Sequence, residues 1–350
     1  MMARLAFAVP GDLATPTGGY VYDRRLLIEL GALGYAVEVL DLGGNFPRPR
    51  AEDQAAARAK LASVAEGIPI IVDGLALGVL PEVAAEAART HPLIALVHHP
   101  LALETGLSAQ QAASLRTSER AALAAACHVV ATSEPTADIL CADYGVPRAR
   151  ISVARPGSDP VAWAEGSADG RVHLLSVGAL VPRKGYDVLV AALAAISDLP
   201  WRLTIVGDCS RSPPTAAAIK AAVVRHRLSR QITVAGPLPE TALAAAYRAA
   251  DVFALASRFE GYGMACAEAI AYGLPVVGTT VGAIPHIVPS AAGVLVPPDD
   301  ALAFADALRR LIGDGDLRRR LRAGARAASR ELPSWQAAAQ TFARVIADVT

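Results

Sequence analysis

Short apolar runs recur along the chain, separated by stretches with helical spacing. In the first half they are LAFAV (5–9), AVEVLDL (36–42), PIIVD (69–73), LIALVHH (93–99), HVVATS (128–133) and ISVA (151–154). In the second half they are VHLLSVG (172–178), RLTIVG (202–207), ITVAG (232–236), VFALAS (252–257), PVVGTT (275–280) and GVLVP (293–297). Runs so short and so nearly free of polar positions read as strands covered on both faces, which is the condition of a parallel sheet between helices. Two sets of six predict an α/β chain of two Rossmann-like domains, roughly 1–160 and 170–333. The segment RPGSDPVAWAEGSADGR (155–171), rich in Pro, Gly, Ser and Asp, reads as the linker.

After the last run two helices are expected. One spans about 301–312 with Asp299 or Asp300 as its N-cap, and an Arg-rich one spans about 316–329. The tail SWQAAAQTFARVIADV puts Trp335, Phe342, Val345 and Ile346 at helical spacing, so 334–350 should be a helix with one buried face.

Composition narrows the classes. At 350 residues the chain is long enough for two cores, and with 53% hydrophobic but only 5% aromatic residues those cores must be aliphatic. A formal net charge of zero leaves no electrostatic footprint for nucleic acid. The opening MMARLAFAVPGD is too short for a signal peptide. The longest uncharged stretch, between Glu268 and Asp299, is cut by Gly273, Pro275, Gly278, Gly282, Pro285, Pro289 and Gly293, which excludes a transmembrane reading. Four cysteines, none in CxxC spacing, read as reduced thiols of a cytoplasmic protein. The arginines from Arg318 to Arg330 fit a solvated helix face better than a membrane-binding one, and peripheral membrane contact is left open.

The densest chemistry lies in RFEGYGMACAEAIAYGLP (258–275), where Gly261 and Gly263 lie between a strand and a helix. Ligands of open parallel sheets bind at the carboxyl ends of strands, where helix N-termini offer unpaired N–H groups. Glu268 stands among apolar neighbours and needs donors, which ribose hydroxyls, an arginine or the backbone could all supply. Glu260, eight positions earlier, is up to roughly 12 Å away if the stretch is helical. One carboxylate could then hold a sugar and the other a ribose. In the first half, Pro16-Thr17-Gly18-Gly19 follows a strand and opens a helix, where glycines let backbone approach a phosphate or sugar, although a plain turn explains them too. His98 and His99 end the fourth run. No Asp-x-Asp pair follows a strand, and no His or Cys cluster has metal-ligand spacing, so no metal and no cofactor are expected.

Glu260 and Glu268 within EGYGMACAEAIAYGLPVVGTTVGAIPHIV resemble the E-x7-E signature of the family 4 retaining glycosyltransferases. The resemblance extends to VGALVPRKGYDVLVAAL (177–193), LTIVGD (203–208), VAGPLPETALAAAYRAADVFALAS (234–257) and the tail around Trp335. It is strong across the second half and weak in the first.

It implies a GT-B fold of two facing Rossmann-like domains, the first on the acceptor side and the second holding the nucleotide-sugar donor, with the terminal helix crossing back onto the first. It also implies hexosyl transfer from a UDP- or GDP-sugar to an unidentified acceptor (a glycan, a lipid-linked acceptor or a small molecule). Glu260 would contact the transferred sugar and Glu268 the ribose. Gly261, Tyr262 and the backbone of Gly263, Met264 and Ala265 would line the sugar and diphosphate. Lys184 would neutralise the leaving diphosphate, with Arg183 in place of the arginine the family carries where Ala179 stands here. Leu238 would bracket the base, and Gly207 would sit near the donor or simply form a turn. Gly18 and Gly19 would meet the phosphates. His98, with His99 as the alternate, would touch the sugar near the reaction centre.

Acceptor recognition is expected from loops at 20–25 and 101–107. The alternatives are a nucleotide-sugar epimerase of the same architecture and a dinucleotide-dependent oxidoreductase, whose G-x-G-x-x-G fingerprint is missing where PGDLATPTGG stands.

Overall fold

The computed structural model describes residues 3–350. It divides into two compact units: one runs up to Gly157 and resumes over Pro333–Thr350, and the other is Ser158–Leu332. The first unit holds strands β1 (Ala3–Val9), β2 (Tyr35–Asp41), β3 (Ile70–Asp73), β4 (Leu93–Val97), β5 (His128–Ala131) and β6 (Ile151–Val153). They form one parallel sheet in the order β2-β1-β3-β4-β5-β6. The second holds β7 (Val172–Val177), β8 (Trp201–Val206), β9 (Ile232–Gly236), β10 (Val252–Ala254), β11 (Val276–Thr279) and β12 (Gly293–Val296), parallel in the order β12-β11-β10-β7-β8-β9. Each apolar run read from the sequence is one of these strands.

The inner strands are buried on both faces, as their unbroken apolar runs require. Every residue of β3 and β4 is buried. The edge strand β2 alternates instead, and Val39 on it is 46% exposed. The runs stop short of their apolar ends. LIALVHH leaves the ladder at Val97 and VFALAS at Ala254, so His98, His99 and Ser257 sit in the turns beyond.

Three expectations need correction. Much of the 155–171 segment is not a free linker, because its backbone donors find acceptors in the second unit. Ala164 N–H donates to the Tyr272 carbonyl at 2.8 Å and Glu165 N–H to that of Arg248 at 2.9 Å. Ser167 Oγ donates to Asp251 at 2.6 Å. Residues 20–25 are not a loop but lie in the helix Gly18–Ala32, started by the Thr17 side chain, which accepts from Tyr20 N–H. The Arg-rich helix, Gly315–Ala328, is only partly a solvated face. Arg322 reaches Asp251 at 3.4 Å, and the Arg326 guanidinium stacks over Trp163 at 4.7 Å.

The terminal helix Trp335–Val349 is capped by Ser334 and buries Trp335, Phe342, Val345 and Ile346. It packs on the Gly18–Ala32 helix, with the Trp335 ring edge-on to Tyr22 at 5.7 Å. Asp300, rather than Asp299, caps the helix Ala301–Gly313. Among the described residues no helix is long and apolar enough to cross a membrane.

Glu119, 1% exposed in the helix Ala109–Ala125, accepts the Leu101 N–H at 3.0 Å and so pins the short turn after β4. Burial pushes its carboxyl up to about 7, against the donation from Leu101. A proton is therefore held more tightly in the folded chain than in the unfolded one. Glu119's contribution to stability is complete below the ordinary glutamate value of 4.5 and is lost as pH rises through about 7. Glu119→Gln, which keeps an acceptor without the charge, should gain on the parent by on the order of 2–3 kcal/mol between those limits. Urea melts of both proteins across that range measure the difference, and a gap independent of pH would contradict it.

Candidate functional site

In each sheet the strand order reverses once, and ligands of open α/β sheets bind at the carboxyl ends beside that reversal. In the second unit the reversal falls between β7 and β10. The loop after β7 makes a short turn, Pro182–Lys184, closed by Gly185 at φ 62°. A Cβ on Gly185 would lie 1.9 Å from the Ala256 carbonyl oxygen, so only glycine lets the two loops touch.

That contact brings Lys184 to Glu260. Lys184 Nζ lies 2.6 Å from Oε1 and Arg183 Nη1 3.3 Å from Oε2. Ser257 Oγ donates to Oε1 at 2.7 Å, and Thr279 Oγ1 steadies the Ser257 carbonyl at 2.6 Å. Glu260 is only 5% exposed. Burial alone would raise its pKa, but the Lys184 and Arg183 charges overcome that and hold the carboxyl down at about 2. The site is thus a buried carboxylate held by two cations.

Gly263, at φ 100°, opens the helix Met264–Ala271. The first intrahelical bonds run from Cys266 and Ala267 to the Gly263 carbonyl, so Met264 and Ala265 precede the ladder. Gly261 and Tyr262 are buried in the same turn. Gly207, after β8, would place a Cβ 1.8 Å from the Gly178 carbonyl oxygen, which is a packing demand. Asp208 next to it closes a turn on Ser210 N–H at 2.7 Å. Leu238, beyond β9, packs partly buried against the cluster that holds Tyr247 and Tyr262.

Glu268, half-buried, meets a donor that was not among the sequence candidates: Tyr247 Oη at 2.8 Å. Burial raises the Glu268 pKa despite that bond. Tyr247 is itself held by stacking on Tyr272, with centroids 4.9 Å apart and planes 3° from parallel. Tyr247 stands 21 residues before Glu268. Only the helical register of ETALAAAYRA, with its single polar ring, could have hinted at it.

Gly18, Gly19 and His98 belong to the first unit, where Gly18 opens the Gly18–Ala32 helix and Gly19 lies against His98. A Cβ on Gly19 would lie 3.5 Å from His98 Cδ2. His98 Nε2 lies 3.2 Å from Asp23 Oδ1 and 3.3 Å from Asp73 Oδ2, and both carboxylates are buried. His99 instead turns to the surface residue Glu104 at 3.6 Å. No local spacing in the sequence signals a metal site. Yet the fold gathers Asp23, Asp73 and His98 with ligand atoms within 4.8 Å of one another. The imidazole already lies against both carboxylates as their counter-charge.

Residues 160–328 match the family described as glycosyl transferases group 1, and residues 64–161 the one described as Glycosyltransferase Family 4. The chain belongs to the family 4 glycosyltransferases. Similar relatives are the D-inositol 3-phosphate glycosyltransferases of Xylanimonas cellulosilytica, 36% identical over 66% of this chain, and of Nocardia farcinica, 34% identical over 68%. The chain spans 59% and 57% of the lengths of those two proteins. Among solved structures, sucrose-phosphate synthase from Thermosynechococcus elongatus aligns with a TM-score of 0.83 at 23% identity over 99% of both chains. Anabaena Alr3699/HepE in complex with UDP-glucose aligns at 0.79 with 17% identity, again over 99% of both. The fold of this family 4 chain is GT-B.

Removing the Tyr247 hydroxyl as Tyr247→Phe keeps the ring stack and takes a donor from the Glu268 carboxylate. The expected cost is about 1 kcal/mol, below the roughly 1.5–3 kcal/mol of a hydrogen bond to a charged group, because half-buried Glu268 can turn to water. Urea melts at neutral pH check it, and a parent-like midpoint would mean that this bond carries no net stability.

Proposed function

We propose that the chain is a retaining, metal-independent glycosyltransferase that moves a hexosyl group from a UDP- or GDP-sugar to an acceptor hydroxyl. One observation carries the reading: Glu260 is buried at the strand-order reversal of the second unit with Lys184 and Arg183 upon it. A lone buried carboxylate would need one counter-charge. Cations gathered at these strand ends suit an anionic group, and the first-turn amides beyond Gly263 add donors for it.

In this mechanism Glu260 accepts hydrogen bonds from hydroxyls of the transferred sugar, and Glu268 from the ribose. Gly261, Tyr262 and the backbone of Gly263, Met264 and Ala265 line the sugar and diphosphate. Leu238 brackets the base and Gly207 keeps the loop after β8 close by. Gly18 and Gly19 offer backbone to phosphate, and His98 touches the sugar. The bond from the anomeric carbon to the diphosphate oxygen breaks as the acceptor oxygen bonds on the same face. The acceptor proton passes to the departing phosphate oxygen. Charge growing on that diphosphate is met by Lys184 and Arg183, so catalysis is mainly positioning and electrostatics.

The names of the relatives make an inositol phosphate the first acceptor to assay, and the UDP-glucose complex of a neighbour makes UDP-glucose the first donor. No observation favours the epimerase reading.

Lys184→Ala should lower kcat by roughly 10² or more with a smaller change in the donor KM, because the cation matters most as the bond breaks. If Arg183 shares that duty, Arg183→Ala should fall too, and the double variant by less than the product of the single effects. Steady-state kinetics on the three variants decide it, and an unchanged kcat in Lys184→Ala removes that residue from the reaction.

The same assay after exhaustive chelation should keep its rate. Loss with EDTA that magnesium or manganese restores would overturn the metal-independent mechanism.

A further inference from the structure

The first unit ends β3 on Asp73, carries His98 one residue past the end of β4, and brings Asp23 to them from the second turn of the Gly18–Ala32 helix. These neighbouring strand ends lie beside the strand-order reversal between β1 and β3. Two carboxylates from different elements meet one ring nitrogen, at 3.2 and 3.3 Å. Neither oxygen can donate when ionised, so the nitrogen between them must carry the proton. The other Asp23 oxygen is buried and has no hydrogen-bond partner.

We propose that Asp23 and Asp73 are positioning residues for His98: they clamp its Nε2–H inward and keep the ring an imidazolium, so that it serves the site as a fixed positive donor and never as a base. The inference rests on the proposed function for its consequence to the reaction, but not for the charge state itself.

The neighbours of His98 leave few competing charges. Tyr22, from the same helix as Asp23, meets the ring edge-on with centroids 5.3 Å apart, and its hydroxyl is spent on the Ala154 carbonyl at 2.9 Å. Thr132 donates to the His98 carbonyl at 3.1 Å. Among the described residues, the charged groups in contact with the ring are Asp73 from the sheet side and Asp23 from the helix side. Burial by itself would make His98 less basic, but the Asp23 charge and its hydrogen bond, then those of Asp73, raise it to about 10. Burial and the Asp73 charge push Asp23 up to about 7, whereas the hydrogen bond and charge of His98 hold Asp73 below the usual carboxylate range against its own burial. As pH rises the cluster therefore gives up the protons of Asp73 and then Asp23 before that of the ring.

Two consequences separate this from a ring that is merely packed. First, His98 should remain protonated where a free histidine is neutral. Second, each carboxylate should matter through the charge of the ring. Asp73→Asn keeps an oxygen for the Leu75 N–H, which Asp73 accepts at 2.6 Å, so the turn that opens there is preserved. Asp23→Asn is the second variant should that one fold poorly.

The experiment follows the imidazole signals of histidine-labelled full-length protein against pH by NMR, with His98→Gln to assign the signal, alongside kcat across the same range with UDP-glucose. In the parent the His98 signal should stay that of an imidazolium past pH 8. In Asp73→Asn its midpoint should drop by one unit or more, and kcat should acquire a new decline above that lowered midpoint. A parent ring that titrates near 6.5 overturns the proposal, as does a variant whose midpoint falls while its rate keeps the parental profile. A His98 signal that moves on adding stoichiometric zinc to the parent overturns it too, since the cluster would then be a cation site. If no donor is turned over at all, the proposed function has failed, and the NMR titration alone decides the charge state.

Discussion

A carboxylate that is only 5% exposed and still ionised constrains the second unit more than any other group. Withdrawing such a charge from water is costly, and the fold tolerates it only with counter-charges in hydrogen-bond reach. Lys184 and Arg183 must therefore be delivered from a loop 76–77 residues away in sequence. That delivery fixes the surrounding backbone. Gly185 has to lie against the Ala256 carbonyl, and Gly282 places its α-carbon where a Cβ would meet the Glu260 carbonyl oxygen at 1.9 Å. These glycines are consequences of the ion pair as much as of the turns they make.

The sheet supplies the frame for this. Because β7 and β10 are neighbours although two strands, β8 and β9, come between them in chain order, the loops leaving their carboxyl ends open side by side. Inner strands covered by helices on both faces have no freedom to slide without exposing apolar surface. The loop ends are thus held by the aliphatic core, including fully buried Leu174, Phe253 and Val277. A dry, stiff frame also keeps the local dielectric low, which strengthens each charge contact made on its rim.

How much of this was legible depended on the range of the signal. Strands announce themselves in a few consecutive residues, so the twelve runs could be read directly, with errors only at ends such as Val97 and Ala254, where apolar residues continue beyond the ladder. Glu260 and Glu268 stood out because a carboxylate among LAS, GYG and ACA is anomalous in its own neighbourhood. What resolves the anomaly is distant. Nothing near Glu268 points to Tyr247, and nothing near His98 points to Asp23, 75 residues earlier. Asp73 looked like the ordinary end of a strand run, and Asp23 fell in a stretch read as a loop that is in fact helix. Composition misled over 155–171 for a related reason. Low periodicity reports the absence of a repeating face, not the absence of hydrogen bonds, and that segment finds its acceptors at Arg248 and Tyr272.

The two units solve the same problem with opposite sign. In one, two cations share a buried carboxylate, and in the other two buried carboxylates share an imidazole. A formal net charge of zero for the whole chain conceals both, because composition sums what the fold separates. The cations of the first arrangement keep its carboxylate ionised despite burial. The excess negative charge on the second must be relieved by a retained proton, since burial leaves it no water. A charge-neutral chain can therefore hold a strongly polarised site, provided that each charge is buried against a frame rigid enough to keep its partners from relaxing away.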